Sequence, residues 1–153
     1  KGSIFMKTKL LITIVITVLF SFPAYADSNQ STAIPALSAW TNQSGSTLHI
    51  HNIANNGQLT GTYINQAQGY DCHNISYPVT GWVYGSAITF TTIWRGTTSC
   101  NSITAWSGLN YQGVISTLWQ LTINGSTSTS QIIQGNDKFK QSASVTKKSP
   151  ILK

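Results

Sequence analysis

The chain has 153 residues, a length that suits one domain, and a formal net charge of +6. The charge sits at the two ends: Lys1, Lys7 and Lys9 near the start, Lys138, Lys140, Lys147, Lys148 and Lys153 near the finish, with Arg95 alone in the body. The body therefore lacks the basic stripe that a phosphate backbone demands, and with no glutamate and only Asp27, Asp71 and Asp137 as acids, acid–base chemistry is severely limited.

The first segment, 1–26, reads as a secretory signal peptide. Met6 opens a short basic region, an apolar run spans 10–22, and Ala24, Tyr25 and Ala26 present a small-x-small cleavage site. The run is short for a transmembrane span and no second one follows, so no membrane anchor is expected. Residues 1–5 precede the start methionine and read as an extension. The mature chain is then expected to begin near Asp27 and to be secreted, either periplasmic or extracellular. In such a compartment Cys72 and Cys100, the only cysteines, point to one disulfide. Closing a loop of that length stabilises by about 3–4 kcal/mol in the chain-entropy treatment.

Residues 27–37 are polar and mixed, and read as a flexible segment. From 38 to 140 Ser, Thr, Asn, Gly and aromatic residues dominate, apolar positions alternate, and turn signals recur at short intervals, which predicts antiparallel strands. The predicted strands are 38–42, 46–53, 58–67, 77–83, 87–94, 101–109, 114–123 and 130–139. Asn55-Asn56-Gly57 and Asn124-Gly125 supply turn residues that tolerate positive φ. Residues 141–153 are rich in Ser and Lys and read as a disordered basic tail. Strands joined in sequence by short turns suggest an all-β, eight-stranded, antiparallel up-and-down β-barrel, with a two-sheet sandwich as the alternative. Such a barrel has room for side chains plus one small ligand.

Side chains alternate across a strand, so parity sorts them by face. Trp40 and Asn42 share a face, as do Ser46, Leu48 and Ile50; Leu59, Gly61, Tyr63 and Asn65; and Ile88, Phe90, Thr92 and Trp94. Further along, Ser102, Thr104 and Trp106 go together, then Ile115, Thr117, Trp119 and Leu121, then Ile133, Gly135, Asp137 and Phe139. Each set mixes large apolar residues with a few polar ones. A closed core does not collect so many polar groups, since each buried one without a partner costs about 1–3 kcal/mol. A pocket for a polar, neutral ligand does. Taken singly, any one tryptophan also fits a core, and Asp137 also fits a cap at a barrel end. The reading rests on their combination.

The segments Trp40-Thr-Asn-Gln-Ser-Gly-Ser46, Gly57-Gln-Leu-Thr-Gly-Thr-Tyr63, Ile93-Trp94, Ser102-Ile-Thr-Ala-Trp-Ser-Gly108, Thr117-Leu-Trp-Gln-Leu121 and Gly135-Asn-Asp-Lys-Phe139 carry a resemblance. In order and spacing the chain resembles the avidin/streptavidin family from Ala39 to Phe139. Asn65-Gln-Ala-Gln-Gly69, Cys72 and Cys100-Asn-Ser102 make it look closest to the dimeric, disulfide-containing branch typified by rhizavidin. The resemblance implies biotin as ligand, no cofactor, no metal and no catalysis. It implies that Asn42, Ser46 and Tyr63 donate to the ureido oxygen and that Asp137 and Asn65 accept from the two ureido N–H groups. Thr104 would meet the thioether sulfur, and Ser102 with the loop after the third strand would hold the acyl carboxylate. Trp94, Trp106 and Trp119 would enclose the rings and the chain. Tetrameric members send a tryptophan into the neighbouring pocket from a position that here falls near Thr129, where none is present. A homodimer with self-contained sites is therefore expected, a Cys72–Cys100 bridge pinning the loop after the third strand over the pocket.

His49 and His51 lie two apart on the second strand and, by parity, outside. No acidic or cysteine partner is evident, so they read as exposed residues and no metal is expected. A hydrolase built on Asp137 lacks an inner partner carboxylate or histidine. A carrier for another apolar molecule and an adhesion module are the remaining alternatives. Neither explains a lone aspartate facing a donor cluster.

Overall fold

The computed structural model describes residues 33–96 and 100–142. The expected signal peptide 1–26, most of the segment 27–37 and the tail beyond 142 lie outside the described residues. Where the chain enters view, Ile34 is already buried at 6% exposure and packs into the core.

Eight strands follow: β1 Ser38–Thr41, β2 Thr47–Ile53, β3 Gln58–Ile64, β4 Ser76–Tyr84, β5 Ala87–Arg95, β6 Asn101–Tyr111, β7 Val114–Ile123 and β8 Ile133–Gln141. Each pairs antiparallel with its sequence neighbour, and β1 also pairs with β8, which closes the barrel and excludes the sandwich. Closure removes the unpaired edges that an open sheet presents. The seam between β1 and β8 is short, joined through Trp40↔Gln141 and Thr41↔Lys140, and extended by the Ser142 amide donating to the Ala39 carbonyl.

Why these segments form strands is visible in their burial. In β5 the sequence AITFTTIWR buries Ile88, Phe90, Thr92 and Trp94 in alternation, and in β4 the sequence SYPVTGWVY buries Tyr77, Val79 and Gly81. The barrel wall is drawn in so tightly at Gly81 that a Cβ there would lie 1.9 Å from the Thr89 carbonyl oxygen, so no side chain fits. Towards one end the inward residues are aliphatic or phenyl: Leu48, Ile50, Leu59, Ile88, Phe90, Ile115 and Phe139 fill the lumen. Towards the other end the inward residues turn polar and indolic, and the lumen stays open.

The eighth strand begins later than the sequence suggests. Thr129–Gln131 forms a 3-10 turn, with Ser128 accepting from the Ser130 amide and the Gln131 side chain returning to the Ser128 amide. This capping box competes with the strand and postpones it to Ile133. The barrel then runs to Gln141, one residue past its expected end. In β2 a bulge between Ile50 and Asn52 leaves His51 exposed, its ring near the Thr62 hydroxyl. Among the described residues no group of three His, Cys, Asp or Glu could hold a metal ion.

Candidate functional site

The open end of the barrel encloses a cavity of about 330 Å³, within the range of small-molecule sites. All the residues singled out by parity and resemblance line it: Asn42, Ser46, Tyr63, Asn65, Trp94, Ser102, Thr104, Trp106, Trp119 and Asp137. They come from seven different parts of the barrel, so only the closed fold assembles them.

Asp137 is the electrostatic centre. It is 7% exposed on β8, and its Oδ2 accepts from the Trp106 indole Nε1 at 2.9 Å. Its Oδ1 accepts from the Asn42 amide at 3.0 Å and from the Gln43 amide at 2.8 Å. No cation faces it. A buried carboxylate is therefore held by neutral N–H donors, each charge-assisted bond contributing about 1.5–3 kcal/mol against the cost of desolvation. A carboxylate offers roughly four acceptor positions, so it has capacity for a further N–H from a ligand.

The donor cluster beside it is held in place by its own hydrogen bonds. Asn42 Oδ1 accepts from the backbone amides of Ser44 at 3.0 Å and Ser46 at 2.9 Å, which fixes the amide orientation of the β1–β2 turn. The Ser46 hydroxyl accepts from the Gln66 amide at 2.9 Å and donates to Asn65 Oδ1 at 3.4 Å. Asn65 Oδ1 also accepts from the Ala67 amide at 3.0 Å. Tyr63 stands edge-on to Trp94, with ring centroids 5.8 Å apart, and tilted against Trp106 at 4.9 Å. Thr104 is tied to the wall, accepting from Trp94 Nε1 at 2.8 Å.

Burial pushes the Tyr63 phenol well above its ordinary range, the negative charge of Asp137 adds to this, and the Ser46 hydroxyl opposes it. Burial therefore favours the neutral, hydrogen-donating phenol. The fold holds the neutral form, while an unfolded tyrosine ionises near 10.0. The corresponding stability is complete below that pH and is lost as pH rises beyond it. Urea unfolding followed between about pH 8 and 11 is expected to show a smaller alkaline loss for Tyr63→Phe than for the parent; parallel curves would contradict the assignment.

Cys72 and Cys100 form the expected disulfide, with Cα atoms 5.5 Å apart. The bridge ties the β3–β4 loop to the start of β6, and the Tyr77 hydroxyl lies 3.1 Å from the Cys100 sulfur. Cys72 and Asn74 both adopt positive φ, 61° and 59°, so the loop turns sharply at non-glycine residues. The Asn74 amide donates back to the Asn65 carbonyl at 3.0 Å.

Several lining residues escaped the sequence reading. Gln43 lies in the β1–β2 turn, outside any strand parity; its side chain reaches back to Asp137 and also accepts from the Lys138 amide at 2.9 Å. Tyr70 and Asp71 reach the cavity from the β3–β4 loop. Their adjacency to Cys72 was the available signal. Trp106 was expected only as a wall, yet it also donates to Asp137.

Comparison with known proteins agrees with this geometry. A family model described as the Avidin family matches residues 30–142. Afifavidin from Afifella pfennigii is 38% identical over 118 residues, covering 73% of this chain and 73% of that protein. The crystal structure of apo shwanavidin (P1 form) is similar, with a TM-score of 0.69 and 55% identity, over 73% of this chain and all (100%) of that one. That of a rhizavidin–biotin complex gives a TM-score of 0.64 and 40% identity, over 78% of this chain and 100% of the other. With its closed barrel, its bridged β3–β4 loop and a family match spanning the whole described barrel, the chain belongs to the avidin family.

Proposed function

We propose that the chain is an exported, non-catalytic protein that binds biotin tightly inside its barrel. The observation that carries this is Asp137, a buried carboxylate with acceptor capacity to spare, facing the donors Asn42, Ser46 and Tyr63 between indole walls. A cyclic urea matches that arrangement: its oxygen takes the donors, one N–H reaches Asp137 and the other Asn65. Trp94, Trp106 and Trp119 then cover the apolar rings, and Thr104 and Ser102 follow the sulfur and the acyl chain. A biotin complex of rhizavidin, a relative at 40% identity, supports the same ligand.

The reading of tight binding is supported by the hydrogen bonds that hold the pocket's polar groups in place. The amide of Asn42, the hydroxyl of Ser46 and the carboxylate of Asp137 are fixed by neighbours, so little freedom is lost on association. Titrating biotin against intrinsic tryptophan fluorescence is expected to give a saturable change, with retention on biotin resin. Failure of both sinks the reading.

Export rests on the basic, apolar and small-residue pattern of 6–26. Fractionation of the producing cell, with the N-terminus read by mass spectrometry, is expected to find the protein outside the cytoplasm and beginning near Asp27. The β7–β8 turn holds no tryptophan to lend to a neighbour. We propose on that ground a homodimer with self-contained sites, and sedimentation velocity showing a stable tetramer would contradict it.

A further inference from the structure

The main-chain wall of the barrel gives out beside Asp137. β1 is four residues long and β8 nine, and the two pair at Trp40↔Gln141 and Thr41↔Lys140. From Asn42 onward the chain turns towards β2: the Asn42 amide donates to the Ser46 carbonyl at 2.9 Å and the Gly45 amide to the Asn42 carbonyl at 3.0 Å. Continued in register, β1 would set residue 43 opposite Lys138. Alternate residues of a strand turn their amide and carbonyl to the same neighbour, so Lys138 and Asn136 present theirs on the edge that Lys140 gives to β1. β1 has ended before it reaches them.

The Gln43 side chain takes the vacant place. Its Oε1 accepts from the Lys138 amide at 2.9 Å and its Nε2 donates to the Asn136 carbonyl at 3.2 Å, so one side-chain amide serves both edge groups as a neighbouring strand would. Nε2 also donates to Asp137 Oδ1 at 2.8 Å, and a primary amide has a hydrogen for each acceptor. Gln43, Asn136 and Asp137 all line the cavity, so the repaired gap is part of the pocket wall.

Under the biotin reading above, on which this inference rests, Asp137 receives a ligand N–H. We propose that Gln43 is a positioning residue for that contact: its amide closes the wall beside Asp137 and holds the carboxylate in place for the ligand. Without it, water enters at the gap and bonds to Asp137 Oδ1. That water is displaced when a ligand arrives and competes for the carboxylate as the ligand leaves, so residence shortens. Gln43 is exposed, so solvent replaces part of what its loss removes. This holds the effect to about three- to tenfold, below that of a fully buried charge-assisted bond.

The test uses the whole chain and two variants. Gln43→Met keeps the length of the side chain and makes none of its hydrogen bonds. Gln43→Glu still accepts from the Lys138 amide, but near neutral pH it loses both donations and sets a second negative charge against Asp137. Biotin release is followed by chase, and the Lys138 amide by hydrogen exchange. Release is expected to be about three- to tenfold faster in Gln43→Met and faster still in Gln43→Glu. The Lys138 amide should be protected in the parent and in Gln43→Glu, and open in Gln43→Met. A purely structural staple would leave Gln43→Glu close to the parent. Release at the parental rate in Gln43→Met, or no faster in Gln43→Glu than in Gln43→Met, overturns the proposal while biotin binding stands. A parent that fails to bind biotin overturns the underlying reading instead. Should Gln43→Met fail to fold, Gln43→Glu against the parent decides, and equal release overturns the proposal.

Discussion

Replacing Asp137 by alanine is expected to weaken biotin binding by about 2–5 kcal/mol, roughly thirty- to several-thousandfold, while the barrel stays folded. Two losses combine. The ligand N–H that Asp137 would accept loses a charge-assisted hydrogen bond. The Trp106 indole N–H and the Asn42 and Gln43 amides, which donate to Asp137 at 2.9, 3.0 and 2.8 Å, lose that acceptor as well. Stability responds less than binding, because removing the side chain also removes the cost of burying a charge without a cation. Asp137→Asn makes a sharper control. It preserves shape, but its amide can accept on one side only, so it must set an N–H against either the Trp106 indole or the Asn42 and Gln43 amides. Its affinity is expected between those of the parent and the alanine variant. Dissociation rates and circular dichroism check both variants. An Asp137→Ala protein that keeps biotin within threefold of the parent would remove the carboxylate from the site.

Cys72→Ser with Cys100→Ser is expected to cost about 3–4 kcal/mol of stability, because the bridge spans 28 residues and restricts the unfolded chain accordingly. In a domain of this size that lowers the melting temperature by well over 10 °C. The same change should speed the release of biotin. The β3–β4 loop carries Tyr70 and Asp71 to the mouth, and two of its residues hold left-handed backbone that the bridge helps to impose. Scanning calorimetry of the oxidised and reduced parent, beside the double variant, separates the bond from the side chains. Equal melting temperatures would show that the loop is held without it.

Much of the architecture was legible because each strand has one wet and one dry face. Ile88, Phe90, Thr92 and Trp94 alternate without interruption, and burial follows the same rhythm. The pocket was legible for the same reason, since Asn42, Tyr63, Thr104 and Asp137 fall on the parity of obvious core residues. Parity is silent where the chain leaves the strands. Gln43 points inward from a turn by virtue of its length, and Tyr70 and Asp71 ride on a loop shaped by positive φ and a disulfide. The late start of β8 had a readable cause in Ser128 and Gln131, a spacing that caps a helical turn and outweighs the β pattern around it. Which side chains donate to one another, such as Trp106 to Asp137, depends on interstrand register, and no single strand encodes that.

The short seam between β1 and β8 also bears on kinetics. Seven of the eight strand pairings join segments adjacent in the chain, so each can form as a hairpin with little loop to close. The one long-range pairing, Trp40↔Gln141 and Thr41↔Lys140, brings the two ends together across nearly the whole domain, helped by the Ser142 amide on Ala39 and by the Asn42 and Gln43 side chains on Asp137. The meander can therefore be largely built before the ring shuts, and the entropy of the long closure falls on the last and weakest joint. Hydrogen exchange should find its earliest opening there. Since Asn42 and Asp137 flank that joint, the rate at which the ring reopens sets an upper bound on how long an occupied pocket can keep its cargo.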